Sequence, residues 1–404
     1  MKIGLYCSGI QPEGGGGYTF QYEILENISR LSEETRHTFV IFIPSPKVIH
    51  NLIASPTMKL VSLPSSSLFK RDLLRFKLAI KRRMLIPLSA EEAIASLRSP
   101  FERLARAHGI QMIWFPTAAS IPVDLPYVAT VLDLQHRLQP YFPEVGEYST
   151  WKEREIHFSQ YLQRASLIII GSKVGQEQIE RFYQIPTERI RILPHPTPRF
   201  ALESFPEADK TTLDKYDIPK GFLLYPAQFW AHKNHANLLL ALQILRQKER
   251  LVLPIVFVGS DMGNEAYIRK MVQELDLTSQ VRILGFIPRP ELVTLYQNAF
   301  ALTYMTFFGP DNLPPLEAFA LGCPVIASDV PGAYEQLNDA VLLVDPKSPG
   351  AIAKGILTLY RDPNMRDILI RRGKERSKQW TGKDFVRGMF AILDEFESIR
   401  RCWE

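Results

Sequence analysis

Four stretches of this chain set glycines or polar residues directly after an apolar run, where a turn can present them to a ligand. The first, Ser8 to Phe20 (SGIQPEGGGGYTF), carries consecutive glycines Gly14 to Gly17, which let backbone N–H groups approach a ligand closely and accept positive φ. A flexible turn and a phosphate cradle both fit them. The spacing is not GxGxxG, and the second apolar run, HTFVIFIPSP, ends without the acid a dinucleotide ribose needs. The second stretch, Tyr225 to Asn237 (YPAQFWAHKNHAN), gathers His232, Lys233, Asn234 and His235 ahead of a helical segment. There an ammonium and free helix N–H groups could converge on phosphate. A merely solvated lysine is the alternative.

The third stretch is FFGPDNLPPLEAFALGCPVI, Phe307 to Ile326. Pro314 and Pro315 fit only the first turn of a helix, so the spacing predicts a helix from Asn312 or Leu313 to Gly322 with its positive end toward a ligand. Glu317 then falls one turn in, where its carboxylate could accept two hydrogen bonds from a ribose diol or simply complement the helix dipole. The fourth, VLDLQHRLQPY, places Asp133 and His136 after an apolar run. The pair could line a sugar or its acceptor and take part in catalysis directly, given its place at a strand end; an N-cap is the plain reading of the aspartate.

These loops need rigid elements to hold them. KIGLYCSG, HTFVIFIP, MKLVSLP, MIWFP, YVATVLD and SLIIIGS are continuously apolar, as strands buried on both faces of a parallel sheet must be. Amphipathic stretches, including Tyr18 to Ser32 and Trp151 to Ala165, separate them. After the proline-rich segment PHPTPRFALESFP (Pro194 to Pro206) the rhythm restarts with GFLLYPA, LPIVFVGS, VRILGF, FALTYMT, CPVIASDV and AVLLVD. The expected organisation is a first α/β domain over 1–198 and a second over 199–380, both doubly wound parallel sheets. A C-terminal amphipathic helix within 381–404 is expected to return to the first domain, with Phe385, Met389, Phe390, Leu393 and Phe396 at helical spacing. Ligands of such sheets bind at the carboxyl ends of strands where strand order reverses.

With these elements in place, NLPPLEAFALGCPVIASDVPGAYEQL resembles the signature of family 4 retaining glycosyltransferases, which carry the GT-B fold of two facing Rossmann-like domains. The YPAQFWAHKN loop, the LGFI turn at Leu284 to Ile287, the SLIIIGS strand and the glycine loop follow in the order that family shows. The resemblance implies a hexosyl transfer from a GDP- or UDP-linked sugar to a glycan or lipid-linked acceptor in cell-surface polysaccharide synthesis. It implies that Glu317 holds the donor ribose and Lys233 the diphosphate. The backbone at Asn312, Leu313 and Pro314 would meet the distal phosphate and sugar, Phe286 and Ile287 after Gly285 would flank the base, and Gly15, Gly16 and Gly17 would close over the diphosphate. Two departures stand out: Gly309 occupies the position of a second glutamate, and Ala227 and Gln228 occupy that of an arginine partnering Lys233. A sugar-nucleotide 2-epimerase of the same fold and a catalytically weak nucleotide-binding scaffold are the alternatives.

Composition narrows the classes further. The chain has 404 residues, 46% apolar and 23% charged, a soluble globular balance with room for more than one core. Cys7, Cys323 and Cys402 form no CxxC pair, which argues against zinc or a disulfide framework and for a reducing, cytoplasmic setting. The opening MKIGLYCSG reads as a strand rather than a signal peptide. Paired carboxylates of glycosidase type and a DxD-like metal site are both missing from the cleft loops, so no cofactor and no obligatory metal is expected. Between Phe69 and Met84 seven cations face one acid in an otherwise nearly neutral chain. That basic amphipathic stretch reads as peripheral contact with the inner, anionic face of a membrane; no nucleic-acid module accompanies it.

Overall fold

The computed structural model describes residues 1–9, 11–44, 57–63, 99–118, 121–203, 210–309 and 311–403. The basic stretch 69–84 lies outside them.

Two parallel sheets dominate. The first comprises β1 (Lys2–Tyr6), β2 (Thr38–Ile43), β3 (Met58–Ser62), β4 (Met112–Trp114), β5 (Tyr127–Thr130), β6 (Leu167–Ile170) and β7 (Ile190–Ile192), in the order β3-β2-β1-β4-β5-β6-β7. The second comprises β8 (Leu223–Pro226), β9 (Ile255–Val258), β10 (Val281–Ile283), β11 (Ala301–Tyr304), β12 (Val325–Ser328) and β13 (Val341–Val344), ordered β10-β9-β8-β11-β12-β13. Leu5 registers with Ile41 on one side and Trp114 on the other, and Leu224 with Val256 and Leu302. Parallel neighbours need crossover helices, which cover both faces and explain why β4, β5, β6 and β9 are buried at every residue. Strand order reverses between β1 and β4 and between β8 and β11.

Five helices matter for the site: α1 (Gly16–Leu31), α2 (Arg289–Asn298), α3 (Leu313–Leu321), α4 (Pro363–Gln379) and α5 (Gly382–Arg400). α1 follows β1 and α3 follows β11, so each sheet sends a helix out from its own point of reversal. The chain passes between the sheets at Pro194–Pro198 and again at Trp380–Thr381. The two crossings run side by side: Thr197 N donates to Trp380 O at 3.1 Å, and Trp380 Nε1 donates to Pro194 O at 2.7 Å.

Beyond the second crossing, α5 packs on the first domain. Phe385 meets Phe20 edge-on at 5.4 Å, Phe390 stacks on Phe39 at 5.7 Å, and Met389 and Leu393 are fully buried between them. Each such side chain contributes about 1.5–3 kcal/mol of burial. The C-terminal helix is therefore part of the first core, and the double crossing is tethered at both ends. No helix among the described residues is long and apolar enough to cross a membrane.

Candidate functional site

The loops that leave the two points of strand reversal face each other across a cavity of 730 Å³ between the domains. On the first-domain side, Gly15 has φ +66° and serves as the N-cap of α1 with no side chain capping the helix. The first-turn N–H groups of α1 are therefore left for a ligand. Gly14 to Gly17 all line the cavity, and a Cβ on Gly16 would lie 3.9 Å from the Leu313 side chain, so the glycine turn reaches the opposite domain.

On the second-domain side, α3 begins at Leu313 with Pro314 in its first turn, and its N-cap Asn312 likewise gives no side-chain cap. The Asn312 side chain is engaged elsewhere: Oδ1 accepts from Tyr304 Oη at 3.1 Å and Nδ2 donates to Gly309 O at 2.6 Å. Lys233 Nζ donates to the same Tyr304 hydroxyl at 3.2 Å and lies 5.4 Å from the centre of that ring. Among the described residues, no carboxylate pairs with Lys233. A lysine and two uncapped helix N-termini thus line one cavity, an arrangement suited to a multiply charged anion.

Glu317 is buried one turn into α3, where Oε2 accepts from Tyr296 Oη at 2.7 Å. Burial pushes its carboxyl up to about 7, against the opposing pull of the Tyr296 hydrogen bond and the positive charge of Arg289. Phe286 is 47% exposed and Ile287 buried, and both line the cavity. Gly285 does not line it; at φ +67° it turns the loop, its carbonyl accepting from Gly259 N at 2.8 Å.

The fourth sequence stretch divides. Asp133 lines the cavity while its Oδ1 accepts from Gln135 N at 2.9 Å and from Arg154 Nη2, a local cap and ion pair in one. His136 is placed differently from the expectation that it binds a sugar or acceptor. It is fully buried beneath the cavity wall, 3.2 Å from Tyr183 Oη and 3.3 Å from Glu155, and stacked on Phe158 at 5.5 Å. Burial, with Arg154 beside it, pushes its pKa down to about 4. The turn at Gln135–Leu138 directs the imidazole inward, away from the ligand space.

The cavity also contains residues that sequence reasoning missed. Arg289, at the start of α2, is held 4.6 Å over the Phe200 ring. Gln135, His195, Trp230 and Asp311 line the wall as well, beside Gln228, which stands where an arginine was expected. Of these, only Arg289 carried a usable signal, its place just after the Phe286–Ile287 turn. Cross-domain contacts close the cleft around them. His232 donates its backbone N–H to Glu144 Oε1 at 3.1 Å and bonds the same oxygen through Nδ1. Phe142 stacks on Phe307 at 5.8 Å, and Gln139 Nε2 donates to Phe307 O at 3.0 Å.

Residues 211–376 match the family described as Glycosyl transferases group 1. The O-antigen chain mannosyltransferase B of Escherichia coli is 29% identical over 232 residues, 57% of this chain and 60% of its own. The O-antigen chain mannosyltransferase RfbU of Salmonella typhimurium is 25% identical over 203 residues, 50% and 53% of the two lengths. The chain thus spans 53–60% of the length of these relatives. The sucrose-phosphate synthase of Thermosynechococcus elongatus superposes with a TM-score of 0.74 at 19% identity, covering 98% of this chain and 99% of that one. The chain has the GT-B fold, with a second domain that matches the glycosyl transferases of group 1.

Proposed function

We infer that this protein is a glycosyltransferase that moves a hexosyl unit from a nucleoside-diphosphate sugar, GDP- or UDP-linked, to a hydroxyl of a glycan or lipid-linked acceptor. The reading includes retention of anomeric configuration, as in family 4, and a role in O-antigen-like surface polysaccharide synthesis. One observation carries it: Lys233 and the uncapped N-termini of α1 and α3, from both domains, line the same cavity.

As the glycosidic bond to phosphate breaks, negative charge grows on the departing diphosphate. Lys233 and the two helix ends oppose that charge in a cleft shielded from water, so the stabilisation is strongest in the transition state. Protein groups thereby supply the charge compensation that a divalent metal supplies elsewhere, and no metal enters the proposal. Glu317 takes the ribose hydroxyls, and the Phe286–Ile287 turn flanks the base. The double crossing at Thr197 and Thr381 is the hinge about which the glycine turn closes. The basic stretch 69–84 supplies contact with an anionic membrane surface.

The test is a thermal-shift screen against UDP, GDP, ADP and dTDP, since a ligand that binds only the folded chain raises its Tm by mass action. Acceptor-dependent release of free nucleoside diphosphate from the matching sugar donor then separates transfer from epimerisation. A chain that binds nucleotide but releases none, whatever the acceptor, is a binding scaffold instead.

A further inference from the structure

Three residues of the cavity wall each carry a buried side-chain atom without a hydrogen-bond partner: Gln135 Nε2, His195 Nδ1 and Asp311 Oδ2. A buried polar atom left unpaired is costly, so three around one cavity call for an occupant. They come from separate parts of the chain: the turn after Asp133, the proline-rich crossing, and the loop ahead of α3.

Their chemistry restricts that occupant. Gln135 Nε2 is a donor. The His195 ring is neutral, burial pushing its pKa down to about 4, and it is hydrogen-bonded to the Asp311 backbone, which leaves Nδ1 as an acceptor. Asp311, its carboxyl raised to about 7 by burial and the nearby Glu335, accepts through Oδ2 when ionised and can donate when protonated. Phosphate oxygens accept only; they would satisfy Gln135 and leave His195 unpaired. A hydroxyl both donates and accepts, so a polyhydroxylated ring can satisfy all three atoms.

Position agrees. Asp311 immediately precedes Asn312, the N-cap of α3, and the His195 ring lies 4.5 Å from Phe20 of α1. Asp311 and His195 thus lie next to the two helices whose ends are assigned to the diphosphate, and Gln135 lines the same cavity. We propose that Gln135, His195 and Asp311 form the subsite that reads the hydroxyls of the transferred sugar. This rests on the glycosyl-transfer reading above. In the closed cleft Asp311 Oδ2 presses on Gly171 of the first domain, where an added Cβ would lie only 2.2 Å away.

The experiment is calorimetric titration of wild type, Asp311→Ala and Gln135→Ala with UDP, GDP, UDP-glucose and GDP-mannose. The wild type is expected to bind one sugar conjugate more tightly than its bare diphosphate. Each substitution is expected to weaken that conjugate by about tenfold while the bare diphosphate stays within about twofold, which also reports an intact fold. A parallel loss for conjugate and diphosphate overturns the subsite, and so does no loss at all, the result expected if ordered water fills the space. A wild type that binds none of the four compounds fails earlier, at the transferase reading itself.

Discussion

The Tyr296 hydroxyl donates to Glu317 Oε2 at 2.7 Å, joining a buried phenol of α2 to the carboxyl of α3 that faces the cavity. Burial holds Glu317 up to about 7 and the phenol holds it down, so its ionisation falls within the neutral range. A ribose diol donates better to the ionised form. Affinity for UDP or GDP is therefore expected to rise from pH 6 to pH 8, and in Tyr296→Phe the rise is expected to move to higher pH. Glu317→Ala should weaken binding at every pH. Titrations at four pH values decide it: a flat wild-type profile, unchanged by either substitution, separates Glu317 from the ribose.

Lys233 has a tyrosine hydroxyl and ring for company and no paired carboxylate among the described residues, so its removal leaves no buried charge uncompensated. Lys233→Ala is expected to lower turnover by about 10²–10³, the range for losing one preorganised group that stabilises developing charge. The Tm should scarcely move. Parallel losses of turnover and Tm would reassign Lys233 to the support of Tyr304 and Asn312.

How much of this was legible in the sequence follows from how each part is stabilised. Runs such as SLIIIGS and LPIVFVGS announce buried parallel strands because helices cover both their faces. β7 escaped notice: Ile190–Ile192 is three residues long, lies at a sheet edge and carries Arg191 in its middle. The prolines of α3 fixed its start because Pro314 can stand nowhere else in a helix. His136 misled because its burial depends on Phe158 and Tyr183, which are distant in sequence and bear no motif. The same holds for Glu144, whose partner His232 is 88 residues away, and for Gln135, His195 and Asp311, which only the closed cleft brings together.

Asp311 ties stability to pH. Burial, with the negative charge of Glu335 nearby, raises its carboxyl from 3.8 to about 7. The folded chain thus keeps a proton that the unfolded chain has already released, and the stability this group contributes falls as pH rises across that window. Asp311→Asn fixes the neutral form at nearly the same shape. It is expected to melt above wild type at pH 8, by about 2–4 °C for each kcal/mol relieved, and level with it at pH 4.5. A difference that does not change with pH removes Asp311 from the titration.

Glu144 and His232 hold the domains together beside Lys233. Burial alone would raise the Glu144 carboxyl, yet the hydrogen bonds from His232 and from the Glu144 backbone together outweigh it and leave the group below its usual range. His232 is pushed down chiefly by burial, so the contact joins a carboxylate to a neutral imidazole rather than two full charges. Glu144→Ala strips the acceptor from both the His232 backbone N–H and Nδ1. Leaving such groups unpaired costs the closed form about 1–3 kcal/mol, whereas opening returns them to water. That is enough to move the closed-to-open ratio by about 5- to 150-fold. Small-angle scattering of the unliganded variant is expected to give a larger radius of gyration than wild type. Its KM for donor should rise while turnover at saturating donor recovers, because the bound donor supplies the closing contacts itself. Unchanged scattering together with an unchanged KM would mean that the Phe142–Phe307 stack and the Gln139 hydrogen bond close the cleft without this pair.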